Sequence, residues 1–427
     1  MNENKSSLSD RDLISIWHPF TPQLNREAPV AIVRGEGTLL FDEEGNSYID
    51  AISSWWVNLH GHSNSYIAEK ISLQMKTLEH AIFSGYTHQP AIKLAERLLG
   101  YFPDKKKVFY SDDGSTSVEV ALKMAFQYWH NQGKSKTKII AFENAYHGDT
   151  FGGMSVGARN VFNNAFEKML FDVIHIPVPV KGEEEKSFRA MSDALKSNDV
   201  AAFIFEPLVQ GAGGMVMYAP TALDELIAKC EMENVITIAD EVMTGFGRTG
   251  KFFATDYCTR KPDIICLSKG LTGGFLPLGV TICTEKIHKA FLTSDKTKTF
   301  FHGHSYTANP IACTAALASL DLLEKKECQD QIGKISVVMK NACDKFSESN
   351  KIKDARSLGT ILALEIKTAE ATEYLNPLAE LVHQFFPKRG IILRPLGNIL
   401  YVLPPYCITE EELNKVLNTI EEFLLQC

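Results

Sequence analysis

The 427-residue sequence has no apolar run approaching the about 18 residues that a membrane-spanning helix needs, so no span is expected. Its first residues, MNENKSSLSDRDLISIWHPF, lack the basic segment followed by an apolar stretch that marks a secretory signal. The nine cysteines (Cys230, Cys258, Cys266, Cys283, Cys313, Cys328, Cys343, Cys407 and Cys427) are odd in number, all lie in the second half and include no C-x-x-C pair. That pattern argues against a zinc ribbon or a disulfide framework and suits reduced thiols in a cytoplasmic protein. Basic charge is also short: 44 Lys and Arg against 52 Asp and Glu leave a net charge of −8, the wrong sign for sequence-independent binding to nucleic acid. There is no internal repeat and no low-complexity tract, and KGEEEK at 181–186 reads as a solvated loop.

What remains is ordinary globular material. Hydrophobic residues make up 45% and charged residues 22%, with 28 Gly and 17 Pro, and the length allows about two or three domains. Residues 36–50, EGTLLFDEEGNSYID, read as two short strands joined at DEEGN. From residue 65 onward, helix-like segments at 65–80, 90–100, 115–131 and 220–233 alternate with apolar runs: KVFYS, KIIAFE, DVIHIP, VAAFIFEP, NVITIAD, PDIICLS and LGVTIC. This alternation predicts an α/β domain, a mostly parallel sheet covered by helices on both faces. Residues 309–346 read as long helical sequence, followed by a smaller α+β portion with strands at ILALEI, IILRP and NILYVLPP and helices near 376–389 and 410–424. The resulting division is a large domain over 65–320 and a small discontinuous domain of 1–64 with 321–427.

Open parallel sheets bind ligands at the carboxyl ends of their strands. There NVITIAD ends in Asp240, and PDIICLS is followed by Lys269. A carboxylate that keeps a pyridine nitrogen protonated and a lysine that forms a Schiff base are the two groups a pyridoxal phosphate site requires. Gly114 and Ser115, after KVFYS and at a helix start, offer backbone donors to a phosphate. Tyr146, after KIIAFE, offers a flat ring, and Glu206 and Gln210 follow VAAFIFEP.

Singly, each of these has a plainer explanation. A lysine before glycine is as a rule a surface residue, and Asp-Glu after a strand is as often a helix cap. Gly-Ser before a helix is ordinary capping. The His-Gly-His triplets at 60–62 and 302–304 lack a third ligand and read as turn residues, so no metal is expected. GFGRTG at 245–250 does not open a helix after a strand, as a dinucleotide fingerprint would.

Together they also match a family in order and wording. IADEVMTGFGRTGKFFA, PDIICLSKGLTGGFLPLGV and FFHGHSYTANPIACTAALASL resemble the class-III aminotransferases, and the resemblance runs over nearly the whole chain. It implies the aspartate-aminotransferase-like fold type I of pyridoxal-phosphate-dependent transferases. IWHPFT, DAISSWWVNLHGH, MAFQYW, YHGDTFGGMSV, EPLVQGAGGM and LRPLGNILYVLPPY are similar to the branch that converts 8-amino-7-oxononanoate to 7,8-diaminononanoate in biotin synthesis by a ping-pong mechanism.

The resemblance implies that Lys269 bonds the coenzyme and shuttles the proton, Asp240 meets the pyridine nitrogen, and Tyr146 stacks on the ring. Gly114 and Ser115 hold the phosphate, which His304 and Ser305 of a second copy complete, making a homodimer with shared sites. The substrate's carboxylate falls to Arg394, its apolar walls to Trp55 and Trp56, its amino groups to Tyr146 and Asp149, and a further substrate contact to Gly303. Arg248 lies in a family motif, with closure of its own loop by an ion pair as the alternative. Where many adenosylmethionine users read HPYT, this chain has Phe20 in HPFT, and TFFHGHSYTAN resembles users of lysine; the SSWW pair favours S-adenosyl-L-methionine as amino donor. Two other readings remain: a class-III ω-amino-acid or diamine transaminase, and a non-catalytic protein that keeps the fold.

Overall fold

The computed structural model describes residues 7–24, 26–370 and 372–426. Its centre is a seven-stranded sheet in the order Lys105–Ser111, Gly279–Thr284, Ile264–Leu267, Ile236–Asp240, Val200–Phe205, Lys138–Phe142 and Val173–Ile176. Gly279–Thr284 runs opposite to the other six strands. The central apolar runs have no polar face because both of their faces are buried. Ile139, Ala141, Ala202, Ile204, Ile264 and Cys266 enter one core with the Gly114–Asn131 helix. The intervening Ile140, Phe142, Phe203, Phe205, Ile265 and Leu267 enter the other. This period of two is the strand geometry itself. The fold is fold type I, as the sequence implied.

The hairpin forms at Leu39–Asp42 and Ser47–Asp50, and Ile391–Ile392 pairs parallel with its second strand. Ile352–Leu358, Ile361–Ile366 and Ile399–Val402 make a separate antiparallel sheet. The long helical stretch is two helices, Pro310–Leu323 and Lys326–Ser347, and the helix expected over 65–80 ends at Met75. KGEEEK is not wholly a loop: Glu184 opens the Glu184–Ala194 helix, where acidic first-turn residues suit the positive end of the helix dipole. Leu8–Ser15 is a further helix, closed by a Ser7/Asp10 capping box. No helix among the described residues is long and apolar enough to cross a membrane.

Candidate active site

The parallel strands deliver their ends to one edge of the sheet. Asp240 closes Ile236–Asp240; its Oδ2 lies 2.7 Å from His147 Nδ1, and its Oδ1 accepts the Val242 N–H at 3.1 Å. Both side chains are buried, and His147 Nε2 has no partner among the described residues. Buried polar atoms are normally satisfied, so this nitrogen, on a residue that lines the cavity described below, is free to bond a group from outside the chain.

Lys269 follows Ile264–Leu267 and Ser268, whose Oγ donates to the Leu278 carbonyl at 2.7 Å. Its φ of +44° lies in the left-handed region, which costs a non-glycine residue about 1–2 kcal/mol and collects at functional sites. Nζ stands 4.4 Å from the centroid of the Trp56 ring. Burial pushes its pKa from 10.5 down to about 8, against the opposing charges of Asp240 and Glu206. A lysine so poised is a ready nucleophile.

Asp113 caps the 18-residue Gly114–Asn131 helix by accepting the Thr116 N–H at 2.8 Å. The N–H groups of Gly114 and Ser115 are left at the first turn, which has no helical acceptors and carries positive dipole charge. The Tyr146–Asp149 loop lies on this turn. Gly148 has a φ of +112°, and a Cβ there would come within 2.2 Å of Ser115 Oγ, so the approach requires glycine. Tyr146 O–H donates to Asp149 Oδ2 at 2.9 Å, and its N–H donates to Glu206 Oε1 at 3.2 Å. Burial raises the Tyr146 phenol well above its ordinary pKa. Glu206 also accepts the Gly211 N–H at 2.8 Å, and burial raises its carboxyl to about 7. Gln210 is buried, with Nε2 on the Glu143 carbonyl at 3.0 Å and no partner for Oε1 among the described residues.

A cavity of about 560 Å³ brings Gly114, Ser115, Tyr146, Asp240 and Lys269 together with Phe20, Trp55, Trp56, Asp149 and Arg394. Its size suits a small-molecule ligand. Arg394 Nη2 donates to Tyr374 O–H at 3.0 Å, and its Cζ lies 4.6 Å from the Trp55 centroid. Phe20 packs 5.6 Å from Trp55 and 5.8 Å from Phe162, centroid to centroid.

Other sequence candidates fall elsewhere. Gly303, His304 and Ser305 do not line this cavity; His304 Nδ1 is 3.1 Å from Asp112. Arg248 is buried and makes no ion pair among the described residues that would close its loop. It donates to the carbonyls of Pro404 at 2.9 Å, Asn58 at 2.9 Å and Trp56 at 3.3 Å, because the chain segments around it present backbone oxygens rather than a carboxylate. His60 meets Ser319, and His62 meets Asp50 at 2.9 Å. His147, which adjoins Tyr146, carried no functional role in the sequence, where Tyr146–His147–Gly148 also read as a plain loop. Tyr374 sits in a loop without a motif and left no signal.

These residues fit pyridoxal phosphate. A helix start offers backbone donors for the phosphate, Asp240 suits a protonated ring nitrogen, and Lys269 is held close by without an ion pair among the described residues.

The class-III aminotransferase family model matches residues 21–424. The chain is 48% identical over 418 residues to the adenosylmethionine-8-amino-7-oxononanoate aminotransferase of Synechococcus elongatus, covering 96% of this chain and 98% of that protein. It is 38% identical to the enzyme of that name from Helicobacter pylori, covering 98% of each. The crystal structure of the enzyme of that name from Methanocaldococcus jannaschii superposes with a TM-score of 0.92 at 36% identity, over 98% of this chain and 99% of that one. An amine transaminase from an uncultivated Pseudomonas species, solved in the pyridoxal-phosphate-bound form, gives 0.91 at 30% identity over 97% and 99%.

Proposed function

The chain belongs to the class-III aminotransferase family, and from that premise we propose that it converts 8-amino-7-oxononanoate to 7,8-diaminononanoate, with S-adenosyl-L-methionine as amino donor. It is a pyridoxal-phosphate-dependent aminotransferase. The observation that carries the substrate reading is the near-complete coverage by relatives named for that reaction, joined to an arginine that has no acidic partner among the described residues and shares a cavity with the reactive lysine.

Bound at this site, pyridoxal phosphate supplies the carrier for the amino group and the electron sink for the carbanion. Asp240, fixed by His147 and the Val242 N–H, holds the proton at the ring nitrogen. Gly114 and Ser115 hold the phosphate. Lys269, freed of its proton near pH 8 by burial, binds the coenzyme and moves the proton at the substrate carbon. Tyr146 covers the ring, and Trp55, Trp56 and Asp149 bound the substrate. Arg394 presents a guanidinium to the substrate carboxylate, which it suits bidentately. Phe20 closes the wall on Trp55 with a ring and no hydroxyl.

The same reading has a homodimer in which Gly303, His304 and Ser305 serve the partner's cavity. It is supported by their absence from this chain's own cavity and by the exposed Phe301 and Tyr306 beside them. It also has a large domain over 65–320 and a small one from 1–64 and 321–427, supported by the pairing of Ser47–Asp50 with Ile391–Ile392. The eight described cysteines are free thiols, which suits the cytoplasm.

The test offers the purified holoenzyme the keto acid with adenosylmethionine or with lysine and assays the diamine. Product with adenosylmethionine alone is expected. Product with lysine alone reassigns the donor, and product with neither leaves only the family activity.

A further inference from the structure

Arg394 is the cation to which the reading above gives the substrate carboxylate, and the present inference rests on that reading. Its guanidinium is not left to itself. Nη2 donates to the phenol oxygen of Tyr374 at 3.0 Å, while the Trp55 ring stands 4.6 Å from Cζ. A phenol oxygen that accepts from a guanidinium keeps its own O–H for donation. Among the described residues, no side chain or carbonyl takes that proton. Tyr374 and Arg394 line the same cavity, so a carboxylate that reaches the arginine also meets a hydroxyl donor beside it.

The loop that carries Tyr374 is held in place. Thr372 Oγ1 donates to Glu365 Oε1 at 2.7 Å, and Asn398 Nδ2 reaches Thr372 Oγ1 at 3.4 Å. Phe162 meets the Tyr374 ring edge-on at a centroid separation of 4.5 Å. Three residues beyond Arg394, Gly397 has a φ of +63°, and a Cβ there would lie 1.8 Å from the Glu373 carbonyl oxygen. The backbone just before Tyr374 therefore rests on the turn just after Arg394. The close approach at glycine sets the two side chains in register.

We propose that Tyr374 and Arg394 form a two-residue carboxylate clamp: Tyr374 holds the guanidinium, adds its own O–H to the substrate carboxylate, and so sets the preference for acid-terminated keto substrates. Tyr374 is a specificity-determining residue and takes no part in the chemistry at Lys269.

The test compares the keto acid with its methyl ester on holoenzyme of the wild type and of Tyr374→Phe, Gly397→Ala and Arg394→Ala. Phenylalanine keeps the ring against Phe162 and removes only the hydroxyl. Loss of one hydrogen bond to a charged group is expected to raise KM for the acid about ten-fold, with kcat nearly unchanged and KM for the ester little affected. Gly397→Ala keeps the hydroxyl but displaces its loop, and is expected to erode the same preference. The thermal midpoint of Tyr374→Phe should stay at the wild-type value. An unchanged acid-to-ester preference in Tyr374→Phe, or an equal loss for acid and ester, overturns the clamp. If Arg394→Ala also leaves the preference unchanged, the failure lies with the carboxylate reading of Arg394; if Arg394→Ala abolishes it while Tyr374→Phe does not, only the clamp fails.

Discussion

Trp55 and Trp56, adjacent in sequence, stand against two different cations of one cavity: Arg394 Cζ lies 4.6 Å from the first ring and Lys269 Nζ lies 4.4 Å from the second. Two neighbouring residues reach such separate partners because the chain is kinked there. Ser53, Ser54 and Trp56 all have positive φ, at 53°, 62° and 67°, each costing about 1–2 kcal/mol for a residue other than glycine. The kink is held by Ser53 Oγ on the Leu403 carbonyl at 2.8 Å, Ser54 Oγ on Asp50 at 3.0 Å, and Arg248 on the carbonyls of Trp56 and Asn58.

Arg248 is thus a structural brace for both indoles. Replacing it with Met keeps bulk but leaves three buried carbonyls without their donor. Arg248→Met is expected to lower stability by about 2–4 kcal/mol and to reduce activity along with it, because both rings shift. Chemical denaturation together with the steady-state rate checks this. Wild-type values for both would mean that the kink holds without the arginine.

Lys269 gives a pH signature. Its pKa is about 8 in the fold and near 10.5 when exposed, because burial disfavours the ammonium. Between those values the unfolded chain binds more protons than the folded one, so this residue makes stability rise with pH across that window. Below pH 8 its destabilising effect is constant. In the coenzyme-free protein, Lys269→Met should therefore exceed the wild type in stability below pH 8, and the gap should shrink as pH approaches 10.5. Capture of added pyridoxal phosphate by the wild type should rise with pH and level off above about 8. A gap that widens with pH would contradict the shift.

His147 acts through Asp240. It bonds the carboxylate oxygen at 2.7 Å and shares that carboxylate with the Val242 N–H. His147→Ala should leave Asp240 in place but less firmly oriented, lowering kcat about ten- to hundred-fold, the worth of a hydrogen bond to a charged group. Asp240→Asn should cost more, since it removes the charge to which the proposed mechanism assigns the ring proton. Single-turnover rates and the coenzyme absorbance of both variants check the order; a larger loss at His147 than at Asp240 would reverse the assignment.

The central sheet was readable because its strands are buried on both faces, so Val200–Phe205 appears as an unbroken apolar run and its end points to Glu206. Asp240, Lys269, Gly114 and Tyr146 were readable because each lies at or shortly after the end of a strand of this sheet, and they meet on one cavity. Other features depend on partners far along the chain. Arg248 donates to Pro404, 156 residues away, and nothing near GFGRTG announces that carbonyl. Tyr374 meets Arg394 only because its loop folds over Gly397. The Leu8–Ser15 helix has no buried residue, so it lacks the apolar stripe by which a helix is recognised in sequence.

The proposed second copy can be tested through function. Lys269→Ala removes the reactive amine, and Ser305→Trp places bulk on an exposed position outside this chain's own cavity. If Ser305 serves the partner, each variant alone is impaired at both sites of its homodimer. In a mixed dimer, both lesions fall on one site: the copy lacking Lys269 receives the bulky residue from its partner. The other site keeps Lys269 and receives an unaltered Ser305. Co-expressing the two variants is therefore expected to restore part of the wild-type rate that neither shows alone, measured on a mixed dimer isolated with two different tags. No recovery in that isolated dimer, or full activity of Ser305→Trp by itself, would place Ser305 outside the site and return the phosphate to Gly114 and Ser115 alone.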